Sequence, residues 1–225
     1  MTTTHYGHWP SPITPELLTA QGVRLSDPQA VGDRLYWLET RPQEKGRNVL
    51  VYEQAGVRTN LFANPLSIRT RAQEYGGSSY LATESFIFYV QDSDQRIYQY
   101  EIDFVRTKPL TPEGAFRYAD FYFDALRQCL LAVQEDYTEN PHHPEASIVA
   151  INLQTGAIKT LAKSADFYSN PRLSPDGKQL SYLRWFHPQM PWDGTECVVA
   201  GLDAQGDVLH EKIIAGGTTE SIFQH

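Results

Sequence analysis

The stretch "SPDGKQLSYLRWFHPQMPWDGTE", Ser174 to Glu196, decides the reading of the fold. Ser174 and Pro175 end one extended segment, and Asp176-Gly177 make a tight turn. Lys178 to Arg184 then forms an apolar-rich strand, and a loop rich in Trp, His and Pro leads to the next apolar run at Cys197. A turn, a strand, a loop and a second strand in this order invite a search for the same order elsewhere.

The order recurs. Strongly apolar runs at Asp33 to Glu39, Glu84 to Gln91, Gln128 to Glu135 and Lys178 to Arg184 are centred on Tyr36, Phe88, Leu131 and Ser181, so successive centres lie 52, 43 and 50 positions apart. Each is followed by a partner run: Asn48 to Gly56, Arg96 to Asp103, Ser147 to Gly156 and Cys197 to Asp207. Most of these turn at Gly or Asp into a further short run. A unit of about four strands recurring every 40 to 50 residues is the pattern of β-propeller blades. A β-sandwich also yields many short strands, but nothing in a sandwich has to repeat in internal order.

The sequence therefore predicts an all-β partial β-propeller: about four blades of four antiparallel strands plus the start of another. The expected boundaries are an N-terminal extension over 1–26, blades over 27–66, 67–116, 117–166 and 167–217, and the incoming strand of a further blade over 218–225. Four blades and a start are few for a closed ring, so the chain reads as part of something longer. Its open blade edges favour self-association.

Bulk composition narrows the partners. The 225 residues are 41% hydrophobic and 20% charged, enough apolar material for a soluble globular core. The formal net charge of -8 offers no positive field to nucleic acid or anionic lipid, so neither nucleic acid nor membrane is an expected partner. No run of 18 apolar residues and no basic-then-apolar leader occurs, and the two cysteines, Cys129 and Cys197, both sit in apolar runs as two buried thiols would. A reducing, cytoplasmic location is the expectation.

Two segments carry a family resemblance. "RTRAQEYGGSSY" (Arg69 to Tyr80) and "HPQMPWDGTE" (His187 to Glu196), with "GGTTESIFQ" (Gly216 to Gln224) in the same order, resemble the propeller of the prolyl oligopeptidase family of serine peptidases, in its acylaminoacyl peptidase and dipeptidyl aminopeptidase branch. Cys197 stands where that family usually has Leu or a similar residue. The resemblance covers roughly Pro15 to the C-terminus. It implies a propeller that gates and orients short peptides or N-acylated peptides. A C-terminal α/β-hydrolase domain of the same polypeptide would supply the Ser, Asp and His that cleave them.

That domain has no counterpart in these residues. Gly-x-Ser-x-Gly is absent; "GGSSY" (Gly76 to Tyr80) has Tyr in place of the last Gly and precedes a strand. No catalytic residue, cofactor or metal is expected in this chain, and on its own it should be inactive. A stand-alone binding module is the competing reading, and a propeller glycosidase would need paired carboxylates that the sequence does not pair.

The candidate substrate-binding or domain-interface residues are Arg71, Glu74 and Tyr75 before the glycines, and Trp185, His187, Trp192 and Asp193, assigned to the loop after the strand. Glu74 could hold the α-amino group of a peptide, or could instead bond Arg69 or Arg71 to lock its blade. The Trp and Pro residues could make a contact surface or a self-packed loop turning at Asp193-Gly194. His142 and His143 lack a third ligand at useful spacing, and Asp92 with Asp94 lacks the Gly and distal Glu of a calcium loop. These four read as solvated loop and hairpin turn.

Overall fold

Central strands buried on both faces must be apolar at every position, and this explains the runs that mark each repeat. In the computed structural model, which describes residues 5, 7, 11–14, 22–74 and 76–223, the chain forms four four-stranded antiparallel sheets, each a simple meander in sequence order. The first contains β1 (Arg24–Val31), β2 (Arg34–Arg41), β3 (Arg47–Gln54) and β4 (Val57–Asn60). The second contains β5 (Tyr80–Ala82), β6 (Phe86–Val90), β7 (Ile97–Glu101) and β8 (Arg106–Pro109). The third contains β9 (Phe116–Asp124), β10 (Cys129–Asp136), β11 (Glu145–Asn152) and β12 (Ile158–Ala162). The fourth contains β13 (Phe167–Leu173), β14 (Gln179–Trp185), β15 (Glu196–Leu202) and β16 (Val208–Gly216).

The sheets stack face to face through alternating side chains. On β10, Leu130 and Ala132 pack with Phe88, Val90 and Ile97 of the second sheet, while Leu131 and Val133 pack with Tyr168, Tyr182 and Val198 of the fourth. Tyr36, Leu38 and Leu50 meet Ile68, Tyr80 and Tyr89 in the same way between the first two sheets. Each fully buried aliphatic side chain here contributes about 1.5–3 kcal/mol. A one-residue slip of β10 would exchange its two sets of partners, so the register is strongly specified.

First strands of successive sheets lie side by side, β1 on β5, β5 on β9 and β9 on β13, which places them at the inner side of the arc. Three of them are bulged at a polar residue with positive φ: Asp27 (φ 51), Asp120 (φ 56) and Asn170 (φ 52). The pairing register shifts at each of these places. Asp and Asn tolerate this left-handed conformation better than other side-chain-bearing residues. The bulge at Asp120 turns its carboxylate into a tie. Oδ1 accepts the Ser78 N–H at 2.8 Å and Oδ2 accepts the Asn170 N–H at 3.2 Å, so one side chain joins the second, third and fourth blades.

Two boundaries differ from the sequence reading. β1 begins at Arg24, inside the expected N-terminal extension, because Arg24 to Ser26 pair with Leu38 to Thr40 of β2. The segment expected to start a further blade folds back instead: Gly217 bridges Glu220, and no strand follows β16 among the described residues. Thr195 holds this turn, its N–H donating to Glu220 O at 3.1 Å and its Oγ1 both donating to Ile222 O (2.9 Å) and accepting the Ile222 N–H (2.7 Å). Gly216 (φ +86) permits the reversal, since a Cβ there would lie 1.9 Å from Thr195 O.

Candidate functional site

Because every strand reverses the one before it, connections alternate between the two faces of the arc. The segments 61–79, 137–144, 163–166 and 186–195 therefore share one face. Together they enclose a cavity of about 400 Å³ lined by Gln73, Glu74, Glu135, Tyr137, His142, His143, Asp166, Phe167 and His187 among others. Two of the sequence candidates, Glu74 and His187, meet in it.

Glu74 sits on a strained turn. Gln73 (φ 55) and Glu74 (φ 62) are both left-handed, a costly pair for residues with long side chains. The turn is held from three directions: Glu135 Oε1 accepts the Gln73 N–H (2.9 Å), Gln73 Nε2 donates to Tyr168 O (2.7 Å), and the Glu74 N–H donates to Arg71 O (3.1 Å). Glu135 is 2% exposed and also accepts the Tyr137 hydroxyl (2.9 Å). Arg117 lies over the Tyr137 ring at 4.3 Å, donates to Arg71 O (2.8 Å) and pairs with Glu74 Oε1 at 2.6 Å. The Glu74 side chain is 79% exposed, so Oε2 remains open to a ligand.

On the opposite wall, Phe167 stacks on Trp185 (5.3 Å, 13°) and takes the edge of His187 (4.9 Å, 71°). The His187 N–H donates to Asp166 Oδ2 (2.9 Å), and the His187–Pro188 peptide is cis. Asp166, Glu74 and the buried Glu135 make this rim acidic, with Arg117 the guanidinium in contact, an arrangement suited to a cationic group.

The other candidates have different places. Trp185 is the last residue of β14 and 3% exposed, so it is a core residue and not part of the loop. Arg71 pairs with Asp92 at 2.9 Å, and Glu74 pairs with Arg117 in preference to Arg69 or Arg71. Asp193 shapes its own turn by accepting the Met190 N–H (3.1 Å). Trp192 is 68% exposed, which the self-packed version of the loop did not foresee. Tyr75 lies outside the described residues. His142 and His143 donate their N–H groups to Asn140 Oδ1, and no cluster of three or more metal-ligating side chains occurs among the described residues. Cys197 is buried, but Cys129 is only half-buried; both are free thiols.

Sequence reasoning missed Arg117, Glu135, Tyr137 and Asp166. The one available signal was Glu135 itself, a charged residue continuing the apolar run of β10 without a break.

Burial raises the carboxyl pKa of Glu135, and likewise those of Asp120 and Asp27, the last with help from Asp120. The folded protein thus binds more protons than the unfolded chain from the ordinary values of 3.8 and 4.5 up to the raised ones. Stability should therefore rise as pH falls through that interval. Glu44 and Asp176, lowered by hydrogen bonds from Arg47 and Ser174, act the other way only below their ordinary values. Lowering the pH from 7 toward those ordinary values should raise the urea midpoint. A midpoint that drops instead would contradict this.

The architecture defines a class, the partial β-propeller, with an acidic pocket on one loop face. No family model and no curated protein matches the chain, but solved structures do. A puromycin-hydrolyzing peptidase of Mycobacterium tuberculosis is 36% identical over 97% of this chain, with a TM-score of 0.86. Puromycin hydrolase is 31% identical over 100% of it, with a TM-score of 0.89. A serine-to-alanine mutant of puromycin hydrolase complexed with PGG gives the same identity and TM-score over 99%. The chain spans 36–37% of the length of these structures. Over its whole length the chain is thus similar to the propeller portion of these peptidases, in line with its resemblance to the prolyl oligopeptidase family.

Proposed function

We propose that this chain is the non-catalytic propeller portion of a serine exopeptidase, in which it admits short peptides and holds their N-terminus. An α/β-hydrolase domain of the same polypeptide would carry out acyl transfer with its triad and oxyanion hole. The observation that carries the reading is Glu74, a carboxylate presented on a strained turn that the buried Glu135 and Arg117 hold in place. A free α-ammonium fits such a carboxylate; an N-acylated terminus has no charge to offer it. The reading therefore favours dipeptidyl or aminopeptidase action over acylaminoacyl release. The exposed Trp192 and Phe223 on the fourth blade suit contact with the hydrolase domain.

Titration of the 225-residue chain with triglycine and with N-acetyl-triglycine, followed by NMR, tests this. Glu74→Gln should weaken triglycine binding about fivefold, the worth of a solvent-accessible ion pair, and leave the acetylated peptide unaffected. Equal binding of both peptides by the unmodified chain would rule out the N-terminal anchor.

A further inference from the structure

A second polar cavity, of about 510 Å³, opens between the first two blades and has no part in the reading above. Its lining includes two arginines, Arg24 at the start of β1 and Arg69 before the Glu74 turn, and one acidic residue, Asp27. Both arginines are exposed, and Asn48 adds an amide whose Oδ1 is already taken by the Thr40 hydroxyl at 2.7 Å, leaving its NH₂ group as the remaining polar function. The cavity is thus rich in donors and cationic on balance.

Its position gives it meaning. Gly76 and Gly77 line this cavity, and Gln73 and Glu74 line the acidic one, so a single short segment is the wall between a basic and an acidic pocket. We propose that the two cavities together bind a short zwitterionic peptide across this segment, its α-ammonium at Glu74 and its α-carboxylate between Arg24 and Arg69. The proposal rests on the N-terminal anchor described above and adds a second, independent contact that selects short peptides with a free C-terminus. Carboxylate recognition by paired guanidiniums is geometrically apt, because each can donate two parallel N–H bonds.

Triglycine and its C-terminal amide, titrated into the unmodified 225-residue chain, provide the test. The amide should bind about fivefold to tenfold more weakly. Non-specific attraction to a chain of net charge -8 would favour the more cationic amide, so it works against the expected result. The double variant Arg24→Gln, Arg69→Gln, its folding checked by circular dichroism, should bind the two peptides equally. Equal binding by the unmodified chain, or discrimination that survives in the double variant, overturns the carboxylate pocket while leaving the Glu74 anchor intact. If N-acetyl-triglycine binds as well as triglycine, the anchor itself fails, and if no peptide binds at millimolar concentration both fail.

Discussion

Replacing Arg127 by Ala is expected to lower the unfolding free energy by about 3 kcal/mol, the lower end of what breaking a buried ion pair costs. Arg127 is where the third blade is fastened to the fourth on the face opposite the peptide site. Its Nη1 pairs with Asp124 Oδ2 at 2.8 Å, and its Nη2 donates to Gly177 O (2.8 Å) and Asp203 O (3.1 Å), the latter two in turns of the neighbouring blade. Asp124 is 4% exposed and caps the turn by accepting the Leu126 and Arg127 N–H groups. Without the guanidinium the buried Asp124 carboxylate loses its counter-charge, Gly177 O loses its donor, and Asp203 O keeps only the Gly206 N–H. The lower end of the range applies because the Arg127 side chain is 18% exposed and its buried Nε has no partner, a desolvation cost that the loss of the side chain relieves. Arg127→Lys should recover part of the loss: an ammonium keeps the charge but cannot reach Asp124 and both carbonyls as a planar fork does. Urea unfolding of both variants measures this, and a loss under about 1 kcal/mol for Arg127→Ala would mean that the blades do not depend on the staple.

Trp185→Ala should cost more, about 3–5 kcal/mol, as for other buried aromatic truncations. The ring is 3% exposed and stacked on Phe167, and a cavity there cannot collapse without moving β13 against β14, which pair at Phe167 and Trp185. Phe167 also carries the edge of His187, so the loss should spread to the peptide pocket and shift the His187 imidazole resonances. Trp185→Phe, which keeps an aromatic face, should restore most of the stability. A Trp185→Ala protein of unchanged stability but weakened peptide binding would show the opposite role, a contact residue in place of a support.

Trp185 also illustrates what could and could not be read in advance. The strands were legible because central strands such as Leu130 to Val133 alternate between two apolar interfaces and so carry an unbroken hydrophobic signal. The end of β14 was not, because the aromatic character of Tyr182, Trp185 and Phe186 continues through the point where burial stops. The tail from Gly216 reads as strand by its Thr, Ile and Phe content, yet Thr195 captures its backbone, a contact with no local trace in the sequence. Asp27, Asp120 and Asn170 are single polar residues inside strands, and nothing nearby distinguishes an inner-strand bulge from a solvent-facing position. Glu74 could be singled out from its neighbours in sequence, but the groups that hold it, Glu135 and Arg117, come from 61 and 43 positions further along the chain. Only the stacking of blades brings them together.

The tie made by Asp120 has a geometric consequence. Each sheet stacks on the next, so the tilt at each joint sets the curvature of the whole, as in other repeat architectures. Asp120 grips Ser78 on one side and Asn170 on the other, and Gly77 admits its carboxylate at a distance where a Cβ would sit 2.8 Å from Oδ1. One short side chain thus works as a gauge for two successive angles, and the circumference any such ring can close is written into the distance a single carboxylate can span.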